Sequence, residues 1–163
     1  AGSEKNGPGA AREDLFEGRV CFITPLAGRT DAGALARVSG FWQSLGARPV
    51  EVSPDDHDEI VAHISHLPHL AAVALAGLLA EKPDAWRDSA GGGLRDTTRI
   101  AGSDPKLWKT ILDQNRDEVL RAVRGYQEEL HGLERALANR DWFEVQAILE
   151  RGRAYRDQFR PTP

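Results

Sequence analysis

The chain contains 163 residues but only one cysteine and no methionine. A lone cysteine, Cys21, cannot form an internal disulfide, and this favours a reducing compartment such as the cytoplasm. The start of the chain also lacks the basic and then apolar segments of a secretory signal. Because the sequence has no methionine and opens directly at Ala1, we expect a fragment of a longer protein.

The chain also lacks an excess of basic residues and a long apolar run. Its 21 lysines and arginines against 25 acidic residues give a formal net charge of -4. Nucleic acid is therefore not a predicted partner, because phosphate binding needs a basic face. The longest apolar run, residues 70–80, is shorter than the roughly 18–20 residues that span a bilayer, so a membrane is not predicted either. We expect this run to be a helix covered by a second subunit, in a homodimer.

The first third of the chain has the pattern of a strand, a helix and a second strand. Residues 19–24 are apolar and stop at Pro25, Asp31 can cap a helix running to about Leu45, and residues 48–52 form a second apolar stretch. This order is the crossover unit of a parallel sheet. Two strands do not form a stable sheet alone, so we expect further strands of that sheet to lie elsewhere.

Residues 54–163 show helical signals only, so the predicted fold class is mostly α. Ser53 and Pro54 favour a helix start, and the apolar pattern continues to about Glu81. We expect the three glycines at residues 91–93 to be a mobile connector. A long helix should follow Pro105, and a last helix should fold back on it. The long helix carries an apolar stripe suited to helix packing: Val119, Val123, Tyr126, Leu130, Leu133 and Leu137.

The most informative segment is residues 62–69, where three histidines, a serine and a proline interrupt an apolar helix. Pro68 cannot donate to the carbonyl of Ile64, which predicts a kink. Ser65 and His69 are four residues apart and should share a face, with His66 beside them. This pattern predicts contacts to a polar substrate. Histidines satisfied inside a helical core remain an alternative, and the spacing of three argues against a metal site.

A second polar cluster follows the glycines. Arg95, Asp96 and Arg99 stand close together at a helix start, and the apolar pair after Arg99 should draw it inward. A guanidinium drawn inward is suited to bidentate binding of a carboxylate. An internal Asp96–Arg99 ion pair is the structural alternative. For Trp108 the sequence favours a place in the core or at an interface.

Three motifs, taken in order, are similar to those of one known family. They are Ser65-His66-Leu67-Pro68-His69, the run GGGLRDTTRIA at residues 91–101, and SDPKLW at residues 103–108. Together with the opening AGSEKNG, they closely resemble the C-terminal half of prephenate dehydrogenases, over essentially the whole chain.

The resemblance implies part of an NAD- or NADP-dependent enzyme of tyrosine biosynthesis that oxidatively decarboxylates prephenate to 4-hydroxyphenylpyruvate. Family members join an N-terminal Rossmann domain to a helical dimerisation domain. Residues 1–53 would be the end of the nucleotide-binding domain, and residues 54–163 the helical dimerisation and substrate-binding domain. The family's catalytic histidine and its glycine-rich nucleotide loop would precede Ala1. We therefore expect this chain alone to contain no catalytic residue, to bind the cofactor poorly and to be inactive.

The same resemblance implies roles for eight residues of this chain. Arg99 would hold a substrate carboxylate, and Ser65 and His69 would contact the substrate. Ser3, also a substrate-binding residue, would lie with Glu4 at the mouth of the active site. The surrounding polar network would consist of Glu4, His66, Arg95 and Asp96.

Three alternatives remain open from the sequence. The substrate could be arogenate, or the chain could belong to a different Rossmann dehydrogenase with a helical dimer domain. It could also be a helical dimerisation or ligand-binding module without chemistry of its own.

Overall fold

The computed structural model describes residue 9 and residues 11–159. Two short parallel strands, β1 (Val20–Ile23) and β2 (Arg48–Glu51), pair in register from Val20 with Arg48 to Ile23 with Glu51. Helix α1 (Ala32–Ser44) connects them, and the Asp31 carboxylate accepts from the Ala34 N–H at its N-terminus. The predicted strand–helix–strand is confirmed, and so is the mostly helical fold class.

The face of α1 is less buried than its apolar spacing suggests. Trp42 is half-buried and meets the Phe16 ring edge-on, with centroids 5.3 Å apart. Val38 and Phe41, however, are exposed. The reason is that two strands offer too narrow a surface to cover the whole apolar side of a 13-residue helix.

A continuous helical run follows the second strand, but it is not uniform. It consists of α2 (Pro54–Val61), a π-helical segment (Ala62–His66) and α3 (Leu67–Ala80). The interruption predicted at Pro68 is present as this π segment, in which the Leu67 N–H donates to the carbonyl of Ala62. The wider turn lies just before the proline, where a backbone donor is missing anyway.

The whole run from Pro54 to Ala80 is 27 residues long. Its most apolar 18-residue stretch has a mean hydropathy of 1.4, and 22% of that stretch is buried. By length and composition it could cross a membrane, because the apolar helix extends well beyond the uninterrupted apolar run at residues 70–80. A helix at a subunit interface has the same composition, because its apolar side is exposed until the partner binds.

Three shorter helices follow: α4 (Asp84–Asp88), α5 (Gly92–Thr98) and α6 (Pro105–Gln114). A 3-10 turn over Arg99–Gly102 connects the last two and packs on α3. The predicted mobile connector at residues 91–93 is wrong, because Gly92 and Gly93 form the first turn of α5. Leu94 is half-buried, and contacts between α5 and α3 outweigh the low helix propensity of glycine.

The single long helix predicted after Pro105 is wrong, because Asn115 ends α6 and a separate helix, α7 (Arg116–Ala138), carries the apolar stripe. Helix α7 begins in one compact unit, which ends at Val119, and continues into a second, which begins at Leu120. In the second unit, a turn at residues 139–141 leads into α8 (Trp142–Arg156), as predicted. Arg140 has a positive φ of 53° in this turn. Arg151 on α8 donates to Glu129 on α7 at 2.7 Å, so α8 folds back along α7.

Candidate functional site

The imidazole of His69 lies flat on the indole of Trp108. The ring centroids are 3.4 Å apart and the planes differ by 2°. Helix α3 supplies the histidine and α6 supplies the tryptophan, so the stack joins the two helices. His69 is only 4% exposed, and its Nδ1 is buried without a hydrogen-bond partner. A buried polar atom without a partner is unusual in a folded protein, so the packing of the single chain does not by itself account for a histidine at this position.

His66 meets the same indole from another direction. Its ring is perpendicular to Trp108, with centroids 6.0 Å apart. His66 is also buried, and its Nδ1 lies 3.4 Å from the side-chain nitrogen of Asn115. That nitrogen donates to the backbone carbonyl of Asp58 at 2.8 Å. The two histidines of the predicted motif therefore surround one tryptophan, and Asn115 ties this cluster to α2.

Burial sets the charge state of both histidines. It lowers the pKa of His69. It also lowers the pKa of His66, where the carboxylate of Asp58 acts in the opposite direction and His57 adds to the lowering. The neutral imidazole is therefore favoured in both cases, because the charged form loses its hydration on burial. A neutral histidine can both donate and accept a hydrogen bond.

A cleft of about 530 Å³ opens beside the stack. It is lined on one side by α3 and on the other by α6 and the segment before it: His69, Leu70, Val73, Ala101, Ser103, Pro105, Trp108, Lys109, Leu112 and Asp113. Its walls are mainly apolar, with a histidine, a lysine and an aspartate among them. Such a lining suits a small ligand that has both a ring and a charged group.

Arg99 begins the 3-10 turn and stands two residues before Ala101, which lines the cleft. Its side chain is exposed, so the expectation that Arg99 is drawn inward is wrong for the single chain. The structural alternative, an ion pair between Asp96 and Arg99, is absent from the part of the chain that the structure describes. The Arg99 guanidinium is thus available to a ligand.

The remaining predicted residues are placed differently. Ser65 is exposed in the π segment while His69 is buried, so the spacing of four does not give them equal surroundings. Arg95 lines a second cleft of about 450 Å³ with Arg87 and Asp88, away from the lining of the first. Ser3 and Glu4 lie outside the described residues. Within residues 9 and 11–159, no three His, Cys, Asp or Glu side chains are grouped to hold a metal ion.

Sequence reasoning missed the parts that Trp108 and Asn115 play. The sequence places Trp108 in the core or at an interface, and the structure shows that its indole contacts both histidines, stacked on His69 and perpendicular to His66. Asn115 gave no signal, because an asparagine between two helices usually marks only a helix end. Its contacts to Asp58 and His66 span 57 and 49 positions in the sequence, so only the folded chain reveals them.

Residues 1–51 match the family described as "Prephenate dehydrogenase, nucleotide-binding domain". Residues 53–151 match "Prephenate dehydrogenase, dimerization domain". The two matches cover both parts of the chain, the parallel strand–helix–strand and the helices that follow it. The chain belongs to the prephenate dehydrogenase family, a family of oxidoreductases.

Individual relatives agree. The cyclohexadienyl dehydrogenase of Zymomonas mobilis is 36% identical over 146 residues, which cover 86% of this chain and 49% of the relative. The prephenate dehydrogenase of Aquifex aeolicus, solved with hydroxyphenyl propionate and NAD+, matches with a TM-score of 0.89 at 32% identity, covering 96% of this chain and 56% of that one. An arogenate dehydrogenase from Synechocystis matches with a TM-score of 0.81 at 30% identity, and the match covers 92% of this chain and 55% of that one. The chain spans about half the length of these relatives.

Proposed function

We propose that this chain is the substrate-binding and dimerisation part of an NAD(P)-dependent dehydrogenase that oxidatively decarboxylates prephenate in tyrosine biosynthesis, in the cytoplasm. The observation that carries the proposal is the buried, unpartnered Nδ1 of His69 beside a cleft walled by Trp108. Arg99, whose guanidinium is free, precedes Ala101 of the cleft wall by two residues in the sequence.

The chemistry of prephenate suits these groups. It carries two carboxylates and a hydroxyl on a non-aromatic ring. In the proposed arrangement, Arg99 binds one carboxylate through its planar fork, and the neutral His69 exchanges a hydrogen bond with the ring substituents. The apolar walls and Trp108 contact the ring and keep water away from it. Ser65, Ser3, Glu4 and Asp96 are proposed to complete the mouth of the site. The buried His66 belongs to the same polar network behind Trp108, and Arg95, which lines a different cleft in the single chain, is proposed to join it from the second subunit.

NAD(P), when bound to the intact enzyme, accepts the hydride. The described residues show no phosphate-binding fingerprint, since the glycines at residues 91–93 open a helix that no strand precedes. Within the described residues, the matched nucleotide-binding segment, residues 1–51, contains one strand–helix–strand. We therefore propose that this chain by itself binds the cofactor weakly and does not turn over prephenate.

The homodimer is part of the same proposal. The matched dimerisation segment, residues 53–151, includes large apolar side chains that are exposed in the single chain. They lie on α3, α6, α7 and α8: Val73, Leu78, Leu107, Tyr126, Leu130, Leu137, Trp142, Phe143 and Leu149. Exposed apolar surface of this extent is typical of an interface that a second copy covers.

Arogenate is the second candidate substrate, supported by the similarity to the Synechocystis arogenate dehydrogenase. It has an ammonium group where prephenate has a keto group. Asp113 lines the cleft and could pair with that ammonium. In the intact enzyme, a lower KM for arogenate than for prephenate would favour this candidate.

Binding of hydroxyphenyl propionate to the purified chain, measured by calorimetry, tests the site. We expect binding that weakens about 30-fold or more in Arg99→Ala. The matched control Arg37→Ala removes an exposed arginine from α1 and should bind like wild type. The uncharged analogue 4-ethylphenol should bind Arg99→Ala and wild type equally. Equal affinity of wild type and Arg99→Ala for the carboxylate ligand would contradict the proposed role of Arg99.

A further inference from the structure

Asn115 occupies the junction between α6 and α7, and its backbone is fixed on both sides. Its N–H donates to the carbonyl of Ile111 at 3.3 Å, and its carbonyl accepts from the N–H of Val119 at 3.0 Å. The residue is 9% exposed. Its side chain therefore has little freedom and must satisfy its hydrogen bonds with the groups that surround it.

Those surroundings determine which way the amide points. The backbone carbonyl of Asp58 can only accept, so the atom 2.8 Å from it must be the amide nitrogen of Asn115. The same nitrogen lies 3.4 Å from Nδ1 of His66, and its second hydrogen is free to point there. A nitrogen that receives a hydrogen bond cannot carry its own proton, so Nδ1 of His66 is the unprotonated nitrogen and Nε2 carries the hydrogen.

We propose that Asn115 is a positioning residue, which holds His66 in the Nε2–H form and so sets how the Trp108–His69 stack presents itself to the substrate. The amide of Asn115 contacts the His66 ring, and the His66 ring packs perpendicular to the indole of Trp108. The same indole stacks on His69. The effect of Asn115 on substrate binding rests on the function proposed above. The assignment of the His66 tautomer is independent of that function.

Among the described residues, the other groups that act on His66 affect its charge, and Asn115 is the one within hydrogen-bonding distance of its Nδ1. On α2, the Asp58 carboxylate favours the charged form and His57 opposes it, and those two side chains pair with each other at 2.9 Å. On α6, Trp108 is uncharged. Asn115 is thus the group that selects between the two neutral forms of His66.

The alternative is that Asn115 only links α2 to the α6–α7 junction through the carbonyl of Asp58. Both roles predict a loss of stability when Asn115 is changed. They differ in what happens to His66, because only the positioning role makes the tautomer depend on the residue at position 115.

The test is nitrogen-15 NMR of the imidazole rings in the purified full chain, with His66 assigned by comparison with His66→Gln. Wild type should show an unprotonated Nδ1 and a protonated Nε2. Asn115→Asp replaces the donor by an acceptor, so the proton should move to Nδ1 and the pKa of His66 should rise, because a carboxylate beside the ring favours its charged form. Asn115→Ala should show a mixture of both forms. The control Gln114→Glu makes the same charge change on the exposed neighbour and should leave the spectrum unchanged.

A protonated Nδ1 in wild type would overturn the proposal without any variant. So would identical His66 signals in wild type and Asn115→Asp. A second measurement separates this inference from the proposed function: binding of hydroxyphenyl propionate should weaken several-fold in Asn115→Asp and stay unchanged in Gln114→Glu. If no variant and no wild-type chain bound that ligand while the tautomer behaved as expected, the proposed function would fail and the positioning of His66 would stand.

Discussion

His69 and Trp108 form a parallel stack, with ring centroids 3.4 Å apart and planes that differ by 2°. The two residues lie on different helices and are 39 positions apart in the sequence. The stack holds an otherwise unpaired polar atom beside a cleft. It therefore links the stability of the helical part to the shape of the proposed substrate site, and variants at these positions should change both.

Trp108→Ala should lower the free energy of unfolding by about 2 kcal/mol, because it removes the stack with His69 and part of the contact with His66, although the side chain is only half-buried. Trp108→Phe should lower it less, since a ring remains. Urea denaturation followed by circular dichroism measures this. Trp86→Ala, at an exposed tryptophan on α4, is the control and should change stability by less than about 0.5 kcal/mol. Equal losses at the two positions would show that the stack contributes nothing.

Stability should fall as the pH is lowered from about 7 to 5. The pKa values of His66 and His69 are lowered in the folded chain, so the unfolded chain binds more protons once the pH drops below the ordinary histidine pKa of about 6.5. The folded state consequently loses stability from there down towards the folded pKa values. Urea denaturation at several pH values measures the slope. His69→Gln should reduce the slope. An unchanged slope in His69→Gln would contradict the assignment.

In the intact enzyme, Arg99→Ala should raise KM for prephenate by roughly 30- to 1000-fold and leave the affinity for the cofactor unchanged. The reason is that a carboxylate contact is made in the ground state as well as in the transition state. Arg99→Lys should recover only part of the loss, because an ammonium lacks the planar fork. Steady-state kinetics measures this, with Arg37→Ala as the charge-matched control. A KM within twofold of wild type would remove Arg99 from the site.

His69→Ala should lower kcat as well as raise KM in the intact enzyme, because it removes the group proposed to orient the ring and also the support of Trp108. His63→Ala is its control. His63 is exposed and its Nδ1 lies 2.9 Å from the carbonyl of Glu59 on its own helix. Its loss should leave both constants near wild type. If the two variants had the same kinetics, the buried position of His69 would have no functional meaning.

Leu78→Asp should convert the proposed dimer to a monomer of 17.9 kDa in sedimentation velocity at micromolar concentration. Leu78 is 60% exposed on α3, so the charge costs little in the single chain but cannot be buried in an interface. It is a sharper test than Leu75→Asp, because Leu75 is half-buried and its loss would also disturb the fold. Gln43→Asp on α1 is the charge-matched control. A wild-type chain that sediments as a monomer would contradict the proposal.

The order of elements could be predicted from the sequence because its signals are local. The Asp31 and Ser53 caps, the proline at the start of α2 and the apolar spacing each act within a few residues. The histidine-containing interruption was predicted for the same reason. The glycine segment was predicted wrongly, because its helix depends on contacts between α5 and α3, and such contacts leave no trace in the local sequence.

By itself the sequence determined the mostly helical fold class, the family through its three motifs, and the presence of polar side chains in an apolar helix. Only the tertiary structure decided which of those side chains meet. It buried His66 and His69 around Trp108, left Ser65 and Arg99 exposed, and connected Asn115 to both α2 and His66. The physical reason is that helix periodicity fixes the direction of a side chain relative to its own helix, whereas its neighbours depend on how separate helices pack.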